Sequence, residues 1–133
     1  MSEFYKMIDL IRKEVNLALK NISIPNKPKY LYDPIRYSIL SEGKRFRPIL
    51  AHLTGKIYNI DKDATMNIAL AVELLHNFTL VHDDIMDKDK LRHGKKTVNI
   101  KWDNDIALLA GDAMLALALQ KLNAYSKNHK LFP

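Results

Sequence analysis

Three aspartates close an apolar run in the middle of the chain: Leu80-Val81-His82-Asp83-Asp84-Ile85-Met86-Asp87. Upstream, Asn67 to Val81 is apolar except for Glu73, His76 and a few small polar residues. That composition predicts a helix buried on nearly all sides. Asp83 and Asp87 are four residues apart, so their side chains stand roughly 5–6 Å from each other on one face. His76 precedes Asp83 by about two turns on that same face. The expectation is a polar stripe, His76, Asp83 and Asp87, on a buried helix. Carboxylates at this spacing repel each other, and the helix C-terminus disfavours negative charge. A hard divalent cation relieves both effects. Magnesium prefers carboxylate oxygen, takes few protein ligands and completes its shell with water and phosphates. The spacing therefore predicts a Mg²⁺ site at Asp83 and Asp87, completed by a diphosphate. The alternative is a solvated helix end in which the acids pair with Lys88, Lys90 and Arg92.

Two basic loops offer phosphate donors. Gly43-Lys44-Arg45-Phe46-Arg47-Pro48 sets three cations between two backbone-shaping residues. Glycine lets the backbone approach a ligand, arginine presents a planar fork and lysine a point charge. Arg92-His93-Gly94-Lys95-Lys96 follows the aspartates directly. Taken alone, the first loop reads more readily as a plain basic surface turn, and the second is open to the same reading. A histidine such as His76, taken alone, is more often a satisfied core residue than a functional one.

The elements that carry these residues read as helices. The chain has 133 residues, 47% hydrophobic and 27% charged, with 4 Gly and 5 Pro. This is a globular balance with a sizeable core. The absence of cysteine excludes disulfides and thiolate metal sites. The first residues lack the pattern of a signal peptide, and no apolar stretch is expected to span a bilayer, Ile106 to Leu119 coming nearest. The expected location is the cytoplasm. The net charge of +6 suits an anionic partner: nucleic acid, membrane surface or phosphorylated metabolite. Helical periodicity covers Ser2 to Lys20, and Asn21 to Tyr32 reads as a loop. Asp33-Pro34 reads as an N-cap and first helical residue, for a helix from Ile35 to Glu42 capped by Gly43. Pro48 opens a helix to about Tyr58, and Asp61 caps another to about Asp87. A loop from Lys88 to Lys96 and a helix from about Asp103 to Ser126 complete the chain. With no β-alternation, the fold class is all-α, a bundle of five or six helices in a single domain over residues 1–133. The expected core includes Leu50, Leu53, Ile68, Val72, Leu75, Ile106, Leu109 and Leu117.

Together these motifs resemble the polyprenyl synthetases, or trans-isoprenyl diphosphate synthases. Gly43-Lys44-Arg45-Phe46-Arg47-Pro48 is similar to the family's GKRxRP motif, and Glu73 through Asp87 to its first aspartate-rich helix. Arg92-His93-Gly94-Lys95-Lys96-Thr97 is similar to its RRGKPT loop, and Leu109-Ala110-Gly111-Asp112 to its LAGD. The resemblance implies an isoprenoid synthase fold, present as its N-terminal half. It implies that Lys44, Arg47 and His76 hold isopentenyl diphosphate, with Arg45 assisting and His93 standing where the family has a second arginine. It implies Mg²⁺ on Asp83 and Asp87 with Asp84 in support, and Arg92 on the allylic diphosphate. The catalytic set is thus Asp83, Asp84, Asp87 and Arg92. The reaction it implies is ionisation of an allylic diphosphate, attack by the isopentenyl double bond and loss of a proton.

The family also carries a second aspartate-rich motif, and no acidic residue follows Asp112 here. The expectation is a split enzyme whose second polypeptide carries the C-terminal half, with exposed apolar faces at Leu108, Leu115 and Leu119 inviting that partner. Phe78 and Thr79, just before the aspartates, are the candidates for setting chain length. The uninterrupted aspartate motif resembles short-chain synthases making farnesyl or geranylgeranyl diphosphate. Competing readings are a non-catalytic structural or regulatory subunit of a heteromeric prenyltransferase, and a basic helical nucleic-acid binder. The cations cluster in loops beside acids rather than along one helix face, which speaks against nucleic acid. No stable membrane insertion is expected.

Overall fold

The computed structural model describes residues 2–129, with side chains as far as Ala124. Among the described residues there are six helices and one short hairpin: α1 Glu3–Lys20, α2 Lys29–Ile39, α3 Phe46–Ile57, α4 Lys62–Met86, β1 Leu91–Arg92, β2 Lys95–Lys96, α5 Val98–Lys101 and α6 Asn104–His129. The chain divides into two compact units. One gathers α1, α3, α4 as far as Glu73 and the C-terminal part of α6. The other gathers α2, the rest of α4, the hairpin, α5 and α6 as far as Leu117.

In the first unit, the Ser2 side chain caps α1 by accepting from the Tyr5 amide at 3.4 Å. Ile11, Val15 and Leu19, one turn apart, form its buried stripe. Helix α3 starts at Phe46, two residues before the expected Pro48. Proline is tolerated there because first-turn amides have no intrahelical acceptor. Asp61 caps α4 as expected, its carboxylate accepting from the Ala64 amide at 3.1 Å. A Cβ on Gly55 would lie 2.6 Å from the Thr65 hydroxyl, so this glycine lets α3 approach α4 closely.

In the second unit, α2 departs from expectation at both ends. It begins at Lys29, where the Pro28 carbonyl accepts from the Leu31 and Tyr32 amides, both at 3.2 Å. Pro34 therefore lies inside the helix rather than at its first position, and cannot donate to the Tyr30 carbonyl. The helix stops at Ile39 with Leu40 as C-cap, so Gly43 does not terminate it. The expected loop of residues 88–96 contains the hairpin, with Arg92 opposite Lys95. Both turn residues have left-handed backbone, His93 at φ 51 and Gly94 at φ 76, the pattern of a tight two-residue hairpin turn. Asp103 caps α6 through the Ile106 amide at 2.7 Å.

The core lies elsewhere than the periodicity suggested. Leu50, Leu75 and Leu109 are exposed, and Leu53, Ile68, Val72, Ile106 and Leu117 are half-buried. The buried positions are Ile11, Val15, Leu19, Ile49 and Leu70 in the first unit, and Ile35, Ile39, Leu74, Val81 and Met114 in the second. The reason is that α4 and α6 carry apolar residues on every side. On α6 the small residues Ala107, Ala110 and Ala118 take the buried face with Met114, leaving Leu108, Leu109 and Leu119 outward. The membrane expectation also needs correcting. Helix α4, not residues 106–119, has the length and mean hydropathy, 1.3 over an 18-residue window, of a potential span. Half of that window is buried within the protein.

Candidate functional site

Helix α4 carries two polar stripes on different faces. The first is Glu73, Asn77 and Asp84, all buried. Each meets a partner. Arg45 Nη1 donates to Glu73 Oε1 at 2.7 Å. Ser38 Oγ donates to Asn77 Oδ1 at 3.1 Å. Arg92 donates to both oxygens of Asp84, Nε at 3.0 Å and Nη2 at 2.6 Å. The second stripe is His76, Thr79, Asp83 and Asp87, successive at three or four residues and therefore on one face. His76 is half-buried and the other three are exposed. The expected stripe thus exists, but on an open face of α4, beside exposed Leu75 and Met86, rather than on a helix buried all round.

The end of α4 is fixed by its backbone. The Asp89 amide bonds to the Asp84 carbonyl at 2.9 Å and the Lys88 amide to the Ile85 carbonyl at 3.3 Å, with Lys88 left-handed at φ 55. This is a Schellman closure, with lysine where glycine is usual. It leaves Asp87 just past the last helical residue, Met86, as the C-cap before the reversal, four residues beyond Asp83. The segment beyond is tied to Asp89, whose carbonyl accepts from Thr97 Oγ1 at 2.9 Å and Asn99 Nδ2 at 3.2 Å.

Among the described residues, no ion pair involves Asp83 or Asp87, so pairing with Lys88, Lys90 or Arg92 does not neutralise them. Arg92 instead belongs to Asp84. Its side chain is 33% exposed against 5% for Asp84, so the fork is anchored at one edge and open at the other. The hydrogen bond to Asp84 raises the guanidinium above its already high pKa, and Coulombic attraction from Asp84, Asp89 and Asp83 adds to this against the cost of burial. Arg92 is a permanent cation. A narrow cleft in this unit is walled by Asp84, Arg92, Lys95 and Lys96, with Tyr37 and Ser41 opposite.

His82 is a residue that the sequence did not single out. Its Nε2 lies 3.1 Å from the Leu108 carbonyl, its ring meets Phe78 edge-on at 4.7 Å, and a Cβ on Gly111 would lie 2.2 Å from it. Gly111 is thus the gap through which His82 docks α4 onto α6, one residue before the aspartates. The signal available in the sequence was the lone glycine in an otherwise strong helix. Phe78 is accordingly committed to His82, and Thr79 returns its hydroxyl to the His76 carbonyl at 2.7 Å.

The basic residues of the first unit separate by burial. Lys44 and Arg47 are exposed. The Lys44 carbonyl accepts from Arg12 Nε at 3.2 Å. Arg45 is 6% exposed and bound to Glu73 and to Asn16 Oδ1 at 2.8 Å. Its guanidinium is engaged inside the protein. His93, at the hairpin tip, is exposed.

Asp83 and Asp87 offer two hard oxygen donors that make no ion pair among the described residues, which suits a magnesium-type ion that takes one or two carboxylates plus phosphate. Among the described residues no group of three or more His, Asp or Glu encloses a metal. A cation here would therefore need ligands from a substrate, solvent or further protein groups.

Residues 28–132 match the Polyprenyl synthetase family. The chain is 41% identical over 120 residues to a geranylgeranyl diphosphate synthase of Cyanophora paradoxa, covering 88% of this chain and 40% of that protein. It is 42% identical over 113 residues to a geranylgeranyl diphosphate synthase of Saccharolobus solfataricus, covering 85% and 34%. Among solved structures, a geranylgeranyl pyrophosphate synthase superimposes with a TM-score of 0.85 at 44% identity, over 90% of this chain and 37% of that one. A geranyltranstransferase of Thermotoga maritima gives 0.86 at 29% identity, over 92% and 47%. The chain belongs to the polyprenyl synthetase family, the trans-isoprenyl diphosphate synthases, and has the all-helical fold of those proteins in the part that bears the first aspartate-rich helix. It spans well under half the length of these relatives.

Proposed function

We propose that this chain is a subunit of a split short-chain prenyl diphosphate synthase, the part that bears the first aspartate-rich motif. The single observation that carries this reading is the division of labour on α4: Glu73, Asn77 and Asp84 are buried and hydrogen-bonded, while among the described residues Asp83 and Asp87 make no ion pair and lie exposed, with Arg92 anchored on Asp84. Two unneutralised carboxylates and a permanent cation make a site for a metal-bound diphosphate. Asp83 and Asp87 would hold the divalent cation, Mg²⁺ by the hardness of its donors, which supplies electrostatic stabilisation of the departing diphosphate. Arg92, its fork held in plane by Asp84, donates to the allylic diphosphate and stabilises charge as the carbon–oxygen bond breaks. Lys44, Arg47 and His76 are proposed for isopentenyl diphosphate, with His93 a weaker contributor because its ring lacks the planar fork of an arginine. Arg45 contributes by fixing Glu73 rather than by touching substrate.

The allylic cation is attacked by the isopentenyl double bond, and loss of a proton gives the lengthened diphosphate. The product is taken as farnesyl or geranylgeranyl diphosphate, and the relatives' names favour the second. A second polypeptide carrying the C-terminal half and its own aspartates would complete the site.

The test is to assay the purified chain with and without a helical partner that copurifies with it, supplying isopentenyl and allylic diphosphates with Mg²⁺. Turnover is expected only in the pair, and Asp83→Asn with Asp87→Asn should abolish it while leaving the helical circular dichroism unchanged. Full activity in excess chelator, or undiminished activity of the double variant, would overturn the reading. Phe78→Ala should lengthen the product, read by chromatography of the dephosphorylated alcohols.

A further inference from the structure

The turn between Lys44 and Arg47 is held in an unfavoured backbone shape. Arg45 is the N-cap of α3 with a left-handed backbone, φ 54 and ψ 34, and its side chain makes no capping hydrogen bond. The usual N-cap is a short polar residue with extended backbone. A left-handed residue that carries a Cβ persists only where its surroundings hold it there. Here the hold comes from outside the turn. Arg45 Nε donates to Asn16 Oδ1 at 2.8 Å, and Nη1 donates to Glu73 Oε1 at 2.7 Å. Arg12 Nε donates to the Lys44 carbonyl at 3.2 Å. Arg12 is steadied in turn by Asp9, whose Oδ1 accepts from Nη1 at 2.6 Å. All of these residues lie in the first unit. Asp9, Arg12 and Asn16 follow one another at three and four residues, so they share one face of α1. The turn is thus gripped from α1 at consecutive residues, at 44 by its carbonyl and at 45 by its guanidinium. Lys44 and Arg47, on either side of buried Arg45, are exposed. Helix α1 lies outside residues 28–132, the part that matches the family.

On the reading that Lys44 and Arg47 bind isopentenyl diphosphate, we propose that Arg12 and Asn16 are positioning residues for that site. From α1 they clamp the turn in its left-handed form and so set the placement of the two cations that meet the diphosphate. They act through the backbone, without touching substrate. A turn fixed in advance spares the binding step the entropy of ordering it.

The experiment compares Arg12→Ala, Asn16→Ala and Asn16→Asp with Lys13→Ala, which removes a cation from an exposed position of the same helix. In the full chain, isopentenyl diphosphate is titrated and followed by NMR at the Lys44 and Arg47 amides. Amide exchange at Ile49, which donates to the Arg45 carbonyl at 3.0 Å, reports the state of the turn. In both alanine variants Ile49 protection should fall and the dissociation constant should rise about tenfold, the share of one charged hydrogen bond. Asn16→Asp still accepts from Arg45, and it and Lys13→Ala should stay within a few-fold of the native chain. In the assembled enzyme the two alanine variants should raise the KM for isopentenyl diphosphate about tenfold, with kcat and the allylic KM almost unchanged, a split that a merely structural role would not produce. Unchanged Ile49 protection, unchanged affinity despite lost protection, or no saturable shift by about 10 mM substrate overturns the proposal. So does an equal loss in Lys13→Ala, which assigns the effect to net charge. If the titration behaves as expected and the assembled enzyme does not turn over, the clamp stands and the proposed reaction falls.

Discussion

The two polar faces of α4 place the same kinds of side chain under opposite rules. On one face Glu73 and Asp84 are each about 95% buried, and each is matched by an arginine. On the other, Asp83 and Asp87 are exposed and, among the described residues, make no ion pair. Within the buried face a second contrast appears. Arg45 is enclosed together with Glu73, whereas Arg92 keeps a third of its side chain open while holding Asp84. A closed pair fixes structure. A half-open pair aims a charge. Buried ion pairs add little net stability compared with apolar packing, but breaking one leaves a stranded charge. The first pair therefore shows itself in folding and the second in binding.

The largest effect should come from breaking the closed pair. Glu73→Ala leaves the Arg45 guanidinium buried without its carboxylate and should cost about 3–5 kcal/mol in urea unfolding. Combining Arg45→Met with Glu73→Leu should recover most of that loss. The half-open pair should answer in kinetics instead. Arg92→Lys keeps the charge but loses the fork, and in the assembled enzyme kcat/KM for the allylic substrate should fall about 100-fold, about 2.7 kcal/mol. The KM for isopentenyl diphosphate should change little. If the unfolding midpoint moves as much as it does for Glu73→Ala, the two pairs are alike and the contrast fails. Gly111→Ala probes the docking of His82 next to the acids. The added methyl must displace the ring, and overpacking of this kind costs about 2 kcal/mol by thermal unfolding. The smallest change is a gain. Lys88→Gly relieves the left-handed backbone that closes α4 and should stabilise the chain by about 1 kcal/mol in the same assay.

Much of this arrangement was legible in the sequence, and the failures have physical reasons. The starts of α1 and α6 followed from periodicity to within one residue, and that of α4 from the Asp61 cap. The start of α2 was misplaced because Asp33-Pro34 has the chemistry of a helix start, yet Pro28 supplies the first accepting carbonyl five residues earlier. The acidic stripe was found by spacing, but its surroundings were inverted. An apolar count over residues 67–81 cannot tell which side of α4 meets protein, and Leu75 is outward while Glu73 is inward. Nor could spacing assign Asp84 to Arg92, because the pairing depends on the chain reversal at Lys88 and on the hairpin. The partner of Arg45 lies 28 residues away and leaves no local mark.

The hairpin tip has a consequence for how this loop can be varied. With His93 at φ 51 and Gly94 at φ 76, side chains branched at Cβ are strained at 93, whereas Asn, Asp and unbranched cations are accommodated. A saturation library at that codon should therefore return folded variants sorted by backbone tolerance before any sorting by ligand charge, and arginine should pass that first filter where valine does not.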